Sequence, residues 1–152
     1  MTEVNSEIAQ RQNWMSLLAR GDVEHFERTW SGIDLKPDYD VLRAADTGMV
    51  MVRGRAGGDG QRFNLGEMTV TRCSVRMRNG IIGHAYLAGR NKRQATLAAI
   101  FDAMLQAPGC LDTFKASLLD PIQDALAKKQ SNTDRKVAST RVNFFTMVRG
   151  DD

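Results

Sequence analysis

The pair Asn79-Gly80 is the sequence feature that most restricts the fold of this chain. It separates two runs rich in β-branched residues, EMTVTRCSVRM at 67–77 and IIGHAYLAG at 81–89. Asn-Gly favours a two-residue type I′ turn, because both central residues of that turn need a positive φ. The pattern therefore predicts an antiparallel hairpin, and with it a sheet at the centre of the fold.

Two further extended runs precede this hairpin, YDVLRA at 39–44 and MVMVRGR at 49–55. The tripeptide Asp-Thr-Gly at 46–48 separates them, and the glycine-rich stretch 56–60 follows the second run. Both separators consist of residues that are typical of turns. We therefore predict a four-stranded antiparallel sheet within residues 38–90.

Helical periodicity flanks the sheet on both sides. Residues 8–33 form a helical N-terminal part, and residues 91–140 are helical again, beginning with a core helix at 91–106 that packs on the sheet. The polar stretch 128–136 is either a solvated continuation of the last helix or a mobile linker. The 152 residues fit one domain. Residues 1–152 are thus predicted to be a single α+β domain with two N-terminal helices, a four-stranded sheet, a core helix, a C-terminal helix and an extended tail.

Positive charge is concentrated in the predicted sheet and the start of the core helix. Residues 53–93 hold nine Arg or Lys against Asp59 and Glu67, whereas the whole chain has a net charge of +3. Such a field suits phosphate, nucleic acid or an acidic protein face, although a solvated surface is the equal alternative for the strand arginines. The candidates for an anion or acidic-partner contact are Arg62, Arg72, Arg76, Arg90, Lys92 and Arg93.

No group of residues in the sequence predicts catalysis or a metal site. The two histidines and two cysteines lack nucleophile or ligand spacing, and Glu67 is the only acid of the central strands. The glycines at 57–60 lead into a strand and no GK[ST] follows, which favours a hairpin connection over a phosphate cradle. We interpret this loop and the strand that follows it as a docking surface for a partner. The chain is therefore expected to bind no cofactor by itself. Without an apolar run of bilayer length or a secretory signal, it is expected to be cytoplasmic and not membrane-bound.

The end of the chain, 141–152, follows the polar stretch 128–136 and contains an unusually apolar segment, VNFFTMV at 142–148. Terminal segments of monomers are usually polar, so we predict that this tail docks on a partner or on a second copy of the chain. The docking candidates are Val142, Phe144, Phe145, Met147 and Val148. The alternative from another class is a free-standing nucleic-acid-binding module, but Phe63 and Tyr86 are the only aromatic residues in the basic region, so nucleic acid is the weaker expectation.

Several segments resemble the PhnG family, the G subunit of the bacterial carbon–phosphorus lyase core complex. They are WMSLLAR at 14–20, GMVMVRGRAGGDG at 48–60, FNLGEMTVTRC at 63–73, GHAYLAGRNKRQA at 83–95 and RVNFFTMVRGD at 141–151. The similarity covers nearly the whole chain.

This resemblance implies an accessory or structural subunit in phosphonate catabolism, required when phosphate is scarce. Its expected partners are the H, I and J subunits of the complex. The implied step is ribose 1-methylphosphonate 5-triphosphate synthesis, in which methylphosphonate displaces adenine from ATP. ATP and methylphosphonate would then be substrates of the complex, with catalysis carried by another subunit.

Overall fold

Antiparallel pairing joins three strands into one sheet in the order β1–β2–β3, with β1 at Tyr39–Arg55, β2 at Arg62–Met77 and β3 at Ile82–Ala88. The computed structural model describes residues 2–140. The chain belongs to the mixed α+β class, but the predicted four-stranded sheet is wrong. The segments predicted as separate strands at 39–44 and 49–55 are one continuous strand, β1.

β1 remains one strand through the turn that was predicted at 46–48. Its register against β2 shifts between Val41 and Arg43 and again between Arg43 and Asp46, so bulges absorb the extra residues without ending the strand. Gly48 pairs with Val70 in the ladder instead of forming a turn. The turn-like composition at 46–48 therefore marks a bent strand.

The β2–β3 hairpin forms as predicted, but its turn is not type I′. Gly80 has a φ of 86°, whereas no non-glycine residue in the described part of the chain has a positive φ. The Gly80 N–H donates to the Met77 carbonyl and the Asn79 side chain accepts the Ile81 N–H. This is a three-residue loop in which glycine alone supplies the left-handed position.

Helices surround one face of the sheet. They are α1 at Thr2–Arg20, α2 at Val23–Ser31, α3 at Lys92–Leu105, α4 at Cys110–Phe114 and α5 at Asp120–Ser139, with a π-helical turn at Lys115–Leu119 before α5. The stretch 128–136, left open between helix and linker, is helical and lies wholly exposed within α5. The tail 141–152 lies outside the described residues, so its predicted docking residues stay a prediction.

The central helix α3 approaches the sheet closely at a glycine. Alternate residues of β2, among them Cys73 and Val75, are buried beneath α3, while Arg72 and Arg76 on the other face are exposed. A Cβ atom at Gly83 would run into the Ala99 carbonyl oxygen of α3 and would lie 2.6 Å from the Ala103 nitrogen. The absence of a side chain at Gly83 of β3 thus sets the distance between α3 and the sheet.

One buried carboxylate joins the layers. Asp102 of α3 is fully buried and accepts hydrogen bonds from Arg11 Nη2 at 2.8 Å, Trp14 Nε1 at 2.9 Å and the His84 backbone N–H at 2.9 Å. Two of these donors belong to α1 and the third to β3. Because a buried charge is tolerated only when it is paired and hydrogen-bonded, this set fixes α1 against the sheet.

Replacing Gly83 with alanine should destabilise the fold, because the new methyl group meets backbone that cannot move without separating α3 from the sheet. We expect Gly83→Ala to lower the free energy of unfolding by ~1–3 kcal/mol or more. Gly48→Ala is the matched control, since a Cβ at Gly48 meets nothing within 4 Å, and it should change stability by less than about 0.5 kcal/mol. Urea unfolding measures both, and equal midpoints for the two variants would contradict the close-packing argument.

Candidate interaction surfaces

The face of the sheet opposite α3 carries two of the predicted anion contacts, and each already has an acidic neighbour on β1. Arg72 Nη2 lies 3.2 Å from Asp46 Oδ2, and Arg76 Nη2 lies 3.1 Å from Asp40 Oδ2. The hydrogen bond from Arg72 lowers the pKa of Asp46 and raises that of the guanidinium. All four side chains are about half exposed or more. Such exposed pairs contribute little stability and remain open to exchange with another anion.

The same face holds a histidine–serine pair. Ser74 Oγ and His84 Nδ1 are 2.9 Å apart, and the neighbouring Tyr86 is 52% exposed. Among the described residues no carboxylate hydrogen-bonds to the His84 ring, so the pair lacks the group that would orient a catalytic base. The pair is therefore better suited to contact than to catalysis.

Three other candidates lie at the start of α3, where a helix disfavours positive charge. The structure supplies the offsetting anion, because Arg93 donates to both oxygens of Glu27 on α2, at 2.6 and 2.9 Å. The hydrogen bond from Arg93 is the main cause that lowers the pKa of Glu27. Arg90 and Lys92 are exposed beside the capping residue Asn91. An external anion thus has Arg90 and Lys92 available, whereas Arg93 is engaged within the chain.

The sixth candidate, Arg62, begins β2 at the end of a long projection. Residues 49–68 form a two-stranded ribbon closed by a turn at 56–61, and we call this ribbon the hairpin arm. The third strand pairs with β2 only as far as Val70 opposite Ala88, so the arm has no further strand beside it. No side chain within the arm is buried.

One face of the hairpin arm is apolar. Val50 and Val52 alternate with Gly54 on this face of β1, and Met68 lies directly opposite Val50. Leu65 is an extra residue in the ladder, and it covers Gly54 together with Phe63, at 3.7 and 3.8 Å from the position of a glycine Cβ. Leu65 is 66% exposed, and Phe63 and Met68 are each more than two-fifths exposed.

The other face of the arm carries arginines. Arg53 and Arg55 are two residues apart on β1, and Arg62 lies directly opposite Arg55 on β2. Cross-strand partners share a face, so all three guanidinium groups project from the same side. Met49 and Met51 share this face with the arginines and are 68% and 53% exposed. The hairpin arm therefore has one apolar face and one mixed face that carries three arginines.

The glycine-rich turn at the tip of the arm connects two paired strands. Gly57 and Gly58 have φ values of 61° and 85°, which suit a tight reversal of the chain. The next element is β2, so the turn lacks the helix N-terminus with which phosphate loops bind anions. Its geometry is that of a hairpin connection.

The described part of the chain contains no group of three or more His, Cys, Asp or Glu side chains that could hold a metal ion. A cleft of about 610 Å³ lies between α1 and the segment that follows α3. Its wall includes Arg11 and Trp14, and Arg11 Nη2 and Trp14 Nε1 already donate hydrogen bonds to Asp102. None of the helices in residues 2–140 is long and apolar enough to cross a membrane.

Sequence reasoning interpreted the glycine-rich turn and the strand after it as a docking surface, but it missed the apolar face of the arm. It singled out Arg62 but not Arg53, Arg55, Phe63 or Leu65. The alternation within MVMVRGR at 49–55 was a usable signal, because it puts valines on one side and arginines on the other. The sequence alone could not predict the face on which Leu65 lies, since this depends on a bulge that is defined only by the pairing of β1 with β2.

Comparison with known proteins places these surfaces in a family context. The model of a family described as phosphonate metabolism protein PhnG matches residues 9–150. A protein of Rhizobium meliloti (strain 1021) is 43% identical over 155 residues, which span 99% of this chain and 96% of the relative. That relative is named alpha-D-ribose 1-methylphosphonate 5-triphosphate synthase subunit PhnG.

The Arg93–Glu27 pair predicts a pH-dependent contribution to stability. Since the folded-state pKa of Glu27 is lowered, the contribution is fully present above the ordinary glutamate pKa and is lost as the pH falls through the folded-state value. We expect Arg93→Gln to destabilise the chain at pH 7 and to have a smaller effect near pH 3. Glu27→Gln should abolish the difference in a double-mutant cycle measured by urea unfolding at both pH values. An effect of Arg93→Gln that is equal at the two pH values would contradict this assignment.

Proposed function

The chain belongs to the PhnG family of phosphonate metabolism proteins, and from that membership we propose that it is a non-catalytic subunit of alpha-D-ribose 1-methylphosphonate 5-triphosphate synthase. Its role is to complete an assembly by docking through the hairpin arm. The nearly full-length similarity to a relative that is named as a subunit of this synthase supports the proposal.

The isolated hairpin arm is the observation that carries the docking role. A two-stranded ribbon is at best marginally stable in water, and it needs a third strand or a packed face to persist. The arm has neither within residues 2–140, since its outer ladder positions are unpaired and none of its side chains is buried. A partner subunit that packs on the apolar face would supply the missing support.

The apolar side chains of the arm can provide substantial binding energy. Burial of Phe63 or Leu65 in an interface contributes ~2 kcal/mol for each side chain before ordering costs are subtracted. The same side of the sheet continues past Met68 to Tyr86, Arg72 and Asp46, so an apolar patch runs into a polar surface of mixed charge. Interfaces between subunits commonly have this pattern of an apolar centre and a polar rim.

A non-catalytic role agrees with the side-chain chemistry of the described residues. The buried acid Asp102 is fully hydrogen-bonded within the fold. Within the described structure no carboxylate hydrogen-bonds to the His84 ring of the Ser74–His84 pair, and neither cysteine thiol hydrogen-bonds to a histidine or a carboxylate. Burial, moreover, raises the pKa of the Cys73 thiol, which disfavours the reactive thiolate.

The finer parts of the proposal follow the family resemblance. The proposed partners are the H, I and J subunits of the carbon–phosphorus lyase core complex, together with a second copy of this chain in a two-fold assembly. The proposed step is the displacement of adenine from ATP by methylphosphonate, and the proposed location is the cytoplasm. Residues 142–148 add a second docking segment.

Charged residues on the apolar face of the arm should prevent assembly without unfolding the chain. We expect the double substitution Phe63→Asp with Leu65→Asp to reduce recovery of the other subunits with the tagged chain by at least about tenfold, the equivalent of ~1.4 kcal/mol. The isolated variant should keep the unfolding midpoint of the wild type, because neither side chain is buried.

Leu35→Asp is the matched control, since Leu35 is 90% exposed and lies outside the arm. Its recovery of partners should equal that of the wild type. Undiminished co-purification of the Phe63/Leu65 variant would show that the arm is not the docking element.

A further inference from the structure

Docking through the apolar face of the hairpin arm does not explain the arginines on the other face. Arg53, Arg55 and Arg62 are exposed, and none of them takes part in an ion pair among the described residues. Five other arginines of the chain each have an acidic partner: Arg11, Arg72, Arg76, Arg78 and Arg93. Other arginines, among them Arg28, Arg43 and Arg90, also form no ion pair within the described residues, so the distinguishing feature of the arm is that three such arginines lie close together on one face.

The arrangement of the three side chains is unfavourable by itself. Arg55 and Arg62 are directly opposed across the ladder, where Cβ atoms are separated by about 5 Å and like charges destabilise the pair. Arg53 lies two residues further along the same face, about 7 Å away. Glu67, the acid on this side of the arm, lies opposite Met51 and forms no ion pair with them. A bound anion would reverse the sign of this electrostatic contribution.

The chemistry of the site favours a polyphosphate. Guanidinium groups bind phosphate oxygens through paired hydrogen bonds, and three of them within this spacing can neutralise several linked charges at once. A protein carboxylate supplies a single charge, so an acidic protein surface would have to place several acids against one narrow ribbon. The reaction named for the relative has a 5-triphosphate product, which carries its charges on one short chain.

We propose that Arg53, Arg55 and Arg62 bind the triphosphate group of the nucleotide substrate and of its ribose 5-triphosphate product, and that the arm delivers them to a site on a partner subunit. This inference rests on the proposed function. The apolar face of the arm packs on that subunit, and the arginine face then borders the site. The three side chains hold a part of the substrate that does not react.

Because the three arginines contact a part of the substrate that does not react, their removal should affect KM more than kcat. Contacts with an unreacting group bind the substrate and the transition state equally, so their loss raises KM and leaves kcat nearly unchanged. The test therefore uses the assembled complex that contains Arg55→Gln with Arg62→Gln, and a second complex with Arg53→Gln added. Arg78→Gln is the control, since Arg78 is an exposed arginine paired with Asp38 outside the arm.

Subunit stoichiometry is measured first, and then KM for ATP and kcat with methylphosphonate as the second substrate. We expect intact stoichiometry, a rise of at least about tenfold in KM for ATP, the equivalent of ~1.4 kcal/mol, and a nearly unchanged kcat. Inorganic tripolyphosphate should inhibit the wild-type and Arg78→Gln complexes competitively with ATP, and should inhibit the arm variants much more weakly.

Three results would overturn the inference, and each has a distinct meaning. An unchanged KM for ATP in a fully assembled variant would remove the arginines from the substrate site, whatever happens to kcat. Loss of assembly would assign the arginine face to an acidic protein surface. A wild-type chain that recovers no partner subunits would instead overturn the proposed function, and the inference with it.

Discussion

The buried carboxylate of Asp102 is the interaction on which the rest of the arrangement depends. It is hydrogen-bonded by α1 through Arg11 and Trp14 and by β3 through the His84 backbone N–H, so one side chain of α3 connects three elements. If the carboxylate were removed, buried donors would be left without partners, which is more costly than never having formed the network. The helices therefore gather on the α3 side of the sheet, with Gly83 allowing α3 its close approach.

Because the helices cover only one face of the sheet, the other face and the hairpin arm are left for a partner to cover. Residues 49–68 extend past the third strand as a ribbon with no buried side chain. The outer face of the sheet carries exposed ion pairs, the Ser74–His84 pair and Tyr86. The two faces of the arm offer different interactions. Phe63 and Leu65 offer burial to a protein, whereas Arg53, Arg55 and Arg62 offer charge to an anion. A small chain can in this way serve both assembly and substrate binding.

The sequence predicted the features that depend on neighbouring residues. The β2–β3 hairpin could be predicted because a turn is specified within a few residues. The four-stranded sheet was wrong because the bulges that keep β1 continuous depend on its pairing with β2. Asp102 was missed for a related reason, since its partner Arg11 lies 91 residues away, although an acid within the apolar run IFDAML was a visible signal. The unpaired arginines could be recognised only after cross-strand register placed Arg62 opposite Arg55.

Hydrogen exchange of the backbone amides in the arm, compared between the isolated chain and the assembled complex, tests the central claim most directly. Amides of α3 provide the internal reference, because this helix is buried in the core of the chain itself. The account predicts that amides of residues 49–68 exchange rapidly in the isolated chain and at least about tenfold more slowly in the complex, while those of α3 stay protected throughout. Equal exchange of the arm amides in the two states would contradict the claim that a partner completes the arm.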